Sequence, residues 1–185
     1  MRTVIVTEFI SLDGVVEAPG GEEGYKHAGW TFDIESDPDM YDFKLEEVRE
    51  VDALLLGRRT YEGFAGAWPE RDGEFADKMN TMPKYVVSST LQDPAWANTA
   101  VLGFEDVAAL RAGEGGPIQV AGSAQLVQGL HREGLVDQWN LMVFPVILGS
   151  GKRLFATDAV DKQKLALAES RTYKNGVQLQ ILRRA

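Results

Sequence analysis

The chain has 185 residues, 44% hydrophobic and 25% charged, proportions ordinary for one globular domain with a sizeable core. A formal net charge of −9 argues against a surface that tracks nucleic-acid phosphates, and the absence of cysteine excludes disulfides, thiolate catalysis and Cys-ligated metal centres. No apolar run approaches the roughly 20 residues of a membrane span, and the opening is too short and too acidic for a secretory signal, so a cytoplasmic protein without membrane or nucleic-acid partners is expected.

The first strand is expected over 2–9, where Thr3-Val4-Ile5-Val6-Thr7 is rich in β-branched residues. Residues 11–25 carry Gly14, Pro19, Gly20, Gly21 and Gly24 and read as a long loop, a feature that is often functional inside a compact domain. Ser36-Asp37-Pro38 is an N-cap-like cluster, so a helix is expected from there to about Val51, with Met40, Phe43, Val48 and Val51 on one face. The continuous apolar run 52–57 reads as a central strand covered on both faces, and Arg58 opens a helix directly behind it. Strands follow at 83–88, near Val101 and at 117–121. Helices are expected over 105–112 and, after Gly122-Ser123, on a segment whose apolar face is Leu126, Val127 and Leu130. A long strand is expected at 138–148 with a glycine-rich turn at 149–153. Strands at 164–173 and 177–183 pair through the hairpin signal Asn175-Gly176. Strand–helix units come first and an antiparallel hairpin closes the sheet, with no repeats and no low-complexity tracts.

Several strands end in a Gly or Ser from which a helix or polar loop opens, and in open α/β sheets ligands sit beyond such strand ends. Gly57-Arg58-Arg59-Thr60 has the chemistry of a phosphate site: close backbone approach at the glycine, two guanidinium groups and a hydroxyl. Both arginines could equally solvate a helix start, although cations at a helix N-terminus are disfavoured unless an anion sits there. Ser88-Ser89-Thr90 adds three hydroxyls, and Gly122-Ser123-Ala124-Gln125 places small residues at a strand–helix junction. The GxGxxG dinucleotide fingerprint is absent. His27 and His131 lack any metal-ligand spacing, so no transition-metal site is expected. Trp30 can line a substrate pocket or simply pack, as buried aromatics usually do.

In this order, Ser11-Leu12-Asp13-Gly14, residues 56–62, Val87-Ser88-Ser89, Val120-Ala121-Gly122-Ser123 and residues 145–151 resemble the dihydrofolate-reductase-like superfamily. The closer likeness is to the reductase domain of bifunctional riboflavin-biosynthesis deaminase-reductases and its stand-alone relatives. The resemblance implies one domain over 1–185 with an α/β, dihydrofolate-reductase-like three-layer α/β/α fold, a mixed central sheet and a C-terminal antiparallel hairpin. It implies NADPH as cofactor and hydride transfer to a small heterocycle, pterin-like or ribosylamino-pyrimidine-like, as in 5-amino-6-(5-phosphoribosylamino)uracil reductase domains. Position by position, Gly57, Arg58, Arg59 and Thr60 match the segment holding the cofactor phosphates. Ser88, Ser89 and Thr90 match the strand end near the adenosine and its 2′-phosphate. Gly122, Ser123, Ala124 and Gln125 match the loop around the pyrophosphate and nicotinamide. Leu12, Asp13 and Gly14 match a mobile loop between cofactor and substrate, with Leu12, Gly14 and Trp30 as substrate contacts. Asp39 stands where dihydrofolate reductases carry a helix carboxylate, or is a solvated acid complementing the helix N-terminus, and protonation is expected through water, or through Asp13 or Asp39 if burial raises its pKa. The deaminase half of the bifunctional enzymes needs a His/Cys/Cys zinc site, which a chain without cysteine cannot build. True dihydrofolate reduction and a non-catalytic nucleotide-binding protein are the alternatives. A homodimer like that of relatives is expected from the apolar strand at 143–148.

Overall fold

The computed structural model describes residues 1–22, 24–155 and 161–185. Its strands are β1 (Val4–Ser11), β2 (Ala53–Gly57), β3 (Lys84–Val87), β4 (Thr99–Leu102), β5 (Ile118–Val120), β6 (Gln138–Phe144), β7 (Leu165–Thr172) and β8 (Gln178–Arg184). The helices are α1 (Pro38–Arg49), α2 (Arg58–Ala67), α3 (Glu74–Thr81), α4 (Val107–Ala112) and α5 (Ala124–Arg132), with short 3₁₀ turns at Trp30–Asp33 and Phe104–Asp106.

All eight strands form one sheet in the order β4-β3-β2-β5-β1-β6-β8-β7. The first six in that order run parallel, and β8 and β7 close the edge antiparallel. Alternation along β2 shows the layering: Leu55 packs into a cluster with Val107, Val127 and Leu130 of α4 and α5, while Leu54 and Leu56 pack with Val48, Tyr61 and Met79 of α1, α2 and α3. The sheet is thus sandwiched between two helical layers, a three-layer α/β/α arrangement with a mixed sheet. Crossovers from β1, β2 and β3 step one way along the sheet, and those from β4 and β5 step back, so adjacent strands β2 and β5 send their helices to opposite faces. That reversal opens a crevice at the carboxyl ends of the strands.

Three expectations are corrected by the packing. The strand expected to reach residue 148 stops at Phe144 because Pro145 has no N–H to give the ladder. α3 is absent from the sequence reading: it starts at Gly73, with φ +101 and no side-chain cap, after a stretch that looks like loop. Part of the long loop after β1 is zipped to the glycine-rich turn, Val16 N–H donating to the Lys152 carbonyl and Leu154 N–H to that of Gly14. No helix among the described residues is long and apolar enough to cross a membrane.

The end of α3 is held by Lys84, the first residue of β3, which is fully buried. Its ammonium donates to the carbonyls of Met79, Asn80 and Met82 at 2.9, 3.0 and 2.8 Å and lies 4.4 Å from the Trp96 ring centroid. A cation capping the negative end of a helix satisfies carbonyls that otherwise lack partners. Replacing Lys84 by Met keeps the aliphatic stem but strands three buried carbonyls. The expected loss is about 2–4 kcal/mol, read as a lower urea midpoint at unchanged slope.

Candidate active site

The crevice is a groove of about 850 Å³ across the ends of β2, β3, β4 and β5. Nine of the eleven residues expected to hold a cofactor line it: Gly57, Arg58, Arg59, Ser88, Ser89, Thr90, Ser123, Ala124 and Gln125. The other two, Thr60 and Gly122, meet just behind it. Gly122 has φ +86, and a Cβ there would stand 2.9 Å from Thr60 Oγ1; a Cβ on Gly57 would collide with the Ser123 hydroxyl. The two loops therefore interlock through their glycines, and no larger residue fits at either place without displacing the other loop.

Helices α2 and α5 start at this groove, from Gly57 and Ser123, and neither has a side-chain N-cap or an acidic residue in its first turn. By contrast α1 is capped by Asp37 with Asp39 in its first turn, and α3 begins with Glu74 and Asp77. Two uncompensated positive helix ends facing one groove make a site for an anion. Arg58 is engaged by Glu62 one turn along α2, at 2.8 Å. Arg59 has no hydrogen-bonded partner among the described residues and is the freer cation. Lys152 also reaches the groove, paired with Glu17 at 2.8 Å. The Ser88 hydroxyl accepts from the Thr90 and Leu91 N–H groups, which shapes the turn and leaves its proton to donate.

A second, smaller cavity of about 130 Å³ lies at the ends of β1 and β6, between α1 and the Trp30–Asp33 turn. Phe9, Met40, Tyr41 and Phe144 give it apolar walls, and among the described residues no Lys or Arg lines it. The sequence reading missed this cavity; its signal was the aromatic residue near the end of each strand.

The residues expected to act on substrate are placed differently. Asp13 is a latch: Ser11 Oγ donates to its carboxylate at 2.7 Å, and the N–H groups of Leu148 and Gly149 at 3.1 and 2.9 Å. Partial burial pushes its pKa up, but these three donors outweigh it and hold the carboxyl at about 2. The condition for a proton donor, a raised pKa, is not met. The Arg153 guanidinium also donates to the Asp13 carbonyl, and Leu12 N–H to that of Val146, so the 11–14 turn is pinned to the 145–153 segment. The Leu12 side chain is exposed, and Gly14 takes φ +85 in that turn. Asp39 is exposed on the first turn of α1, 4.0 Å from Lys174, and lines neither cavity. Trp30 is buried, its indole donating to the Glu17 carbonyl at 2.8 Å and its ring edge-on to Phe144. It supports the wall of the small cavity without lining it.

A family model described as the RibD C-terminal domain matches residues 2–179. The uncharacterized Bacillus subtilis (strain 168) proteins YyaP and YwjB are each 29% identical to this chain. The matches run over 187 residues for YyaP, 95% of this chain and 92% of that protein, and over 185 residues for YwjB, 98% of each. Among solved structures, a putative riboflavin biosynthesis protein from Shewanella sp. PV-4 is similar with a TM-score of 0.76 at 19% identity, covering 99% of both chains. A pyrimidine reductase-like protein from Corynebacterium diphtheriae NCTC is similar with a TM-score of 0.70 at 14% identity, covering 99% of this chain and 92% of its own. At such identities the structural likeness establishes the fold.

Proposed function

Since the chain belongs to the RibD C-terminal domain family, we propose that it is a reductase that binds NADPH in the large groove and reduces a flat heterocycle seated in the small apolar cavity. The observation that carries this reading is the convergence of two uncapped helix N-termini and Arg59 on one groove. Its volume falls within the roughly 300–1,000 Å³ common for cofactor sites. The interlocked Gly57 and Gly122 supply the backbone cradle that a dinucleotide needs.

Bound NADPH supplies the hydride. The protein's part is binding and orientation. Arg59 and the positive end of α2 meet one phosphate group, and the N–H groups at the start of α5 meet another. Ser89 and Thr90 offer hydroxyls at the far end of the groove. Phe9 and Phe144 hold the substrate ring and keep water from one side of it. With Asp13 held ionised and Asp39 outside both cavities, neither of these carboxylates supplies the proton that completes the reduction. The absence of Lys and Arg from the small cavity favours an uncharged ring, pterin-like, over a phosphoribosylated pyrimidine.

Calorimetric titration with NADPH and NADH tests the cofactor. Micromolar binding of NADPH is expected, with weaker NADH. Arg59→Ala is expected to weaken NADPH by about 10- to 100-fold, the worth of a charge-assisted phosphate contact of about 1.5–3 kcal/mol, while Arg58→Ala, whose guanidinium already serves Glu62, costs less. No NADPH binding at millimolar concentration defeats the proposal. Tight binding without oxidation of NADPH by any pterin, pyrimidine or quinone turns it toward a nucleotide-binding protein without catalysis.

A further inference from the structure

Glu8 lies in the middle of the sheet, on the face of β1 that carries Val6 and Ile10, opposite Leu141 of β6. On its other side β1 and β5 part: their last paired residues are Val6 and Val120, so two residues on, Glu8 faces Gly122. The Gly122 N–H lies on the side of the carboxyl that favours its charged form, and Oε1 is buried with no hydrogen-bond partner. An unpartnered carboxyl oxygen in such a place calls for a reason, because a buried polar group without partners is costly.

The surroundings favour the neutral acid. Val6, Ile10, Val120, Val127 and Leu141 make this face of the cluster apolar. The charged group that acts on Glu8 among the described residues is Lys44 of α1, and its ammonium is already held by Glu47. Burial accordingly pushes the Glu8 pKa up to about 8, against the smaller opposing pulls of Lys44 and the Gly122 N–H. Ser123, the next residue after Gly122, begins α5. A carboxylate at Glu8 would take the positive end of that helix for itself; the neutral acid leaves it to a ligand.

Resting on the reading of the groove as a dinucleotide site, we propose that Glu8 is a positioning residue for the cofactor loop. As a neutral acid beside Gly122 it leaves the N–H groups at the α5 N-terminus to the ligand's phosphates, and on ionisation it competes for them. Dinucleotide affinity is therefore coupled to the protonation of a residue inside the sheet.

The test is titration of wild type and Glu8→Gln with NADPH and NADH across the pH range. Gln keeps the shape but cannot ionise. For wild type the Kd of both nucleotides is flat in mild acid and rises by about tenfold per pH unit above about pH 8. The Glu8→Gln profile stays flat. A rise shared by NADH separates Glu8 from titration of the 2′-phosphate. The sign for folding is the same: a carboxyl with a raised folded pKa contributes stability that is fully present below its unfolded value of 4.5 and is lost progressively up to about pH 8, so the Tm of Glu8→Gln relative to wild type rises between those values and levels off above about pH 8. Parallel pH profiles in the two proteins overturn the role of Glu8 alone. No binding of either nucleotide to either protein at any pH overturns the reading of the groove and this proposal with it. A further measurement needs no variant: the ¹³C titration midpoint of the wild-type Glu8 carboxyl must rise at saturating NADPH, by reciprocity, and an unchanged midpoint also overturns the proposal.

Discussion

Replacing Glu47 by Ala is expected to destabilise the protein by about 3–5 kcal/mol, the usual cost of stripping one partner from a buried ion pair. Glu47 projects from α1 onto the sheet and is buried. One carboxylate oxygen accepts from Asn140 Nδ2 of β6 at 2.7 Å. The other accepts from Thr7 Oγ1 of β1 at 2.9 Å, from Gln119 Nε2 of β5 at 3.2 Å and from the Lys44 ammonium. One side chain thus ties α1 to three adjacent strands, and its loss leaves Thr7, Gln119 and Asn140 without an acceptor and Lys44, whose side chain is only 14% exposed, without its counter-ion. For a chain of this length each kcal/mol shifts Tm by about 2–4 °C, so the drop is on the order of 10 °C. The double variant Glu47→Ala with Lys44→Met is expected to recover much of it, because no buried charge then stands alone. A single-variant cost below about 1 kcal/mol, by denaturant melts at pH 7, would show that the network is not what fastens α1.

That network was invisible in the sequence for a physical reason. Its bonds join residues 40, 72 and 93 positions apart, and no local period announces them. The face of α1 read from Met40, Phe43 and Val48 was the buried one, but the polar Lys44 and Glu47 share the packing. Glu8 escaped for a related reason. A charged residue in a strand is usually read as outward, yet β1 is central and covered on both faces, so its polar side chains have no outward side. What the sequence did disclose was local: β-branched runs, the Asn175-Gly176 turn, the Asp37-Pro38 start of α1 and the glycines at strand ends all act through backbone preferences of a few residues. The loops that line the large groove were legible as a group because strand ends followed by helix starts recur in the sequence. Asp13 was legible as special but not in its role, since its partners, Leu148 and Gly149, lie far along the chain.

Gly122 is the position at which the groove is expected to be least tolerant. It combines φ +86, where an L-residue costs about 1–2 kcal/mol, with a Cβ direction that ends 2.9 Å from Thr60 Oγ1 and 3.3 Å from Thr60 Cγ2. The two penalties act on the same turn, so Gly122→Ala must either push α2 away or rotate the peptide that faces the groove. Either movement disturbs the N–H groups at the start of α5, and NADPH binding is expected to fall by about 100-fold, close to 3 kcal/mol. The contributions separate in a cycle with Thr60→Ala: removing the Thr60 hydroxyl and methyl relieves the collision but not the backbone strain. Partial recovery of affinity in the double variant, with thermal stability still below wild type, is the expected result. Full recovery would assign the whole effect to the contact between α2 and the loop, and wild-type affinity in Gly122→Ala alone would mean that the ligand does not use this turn.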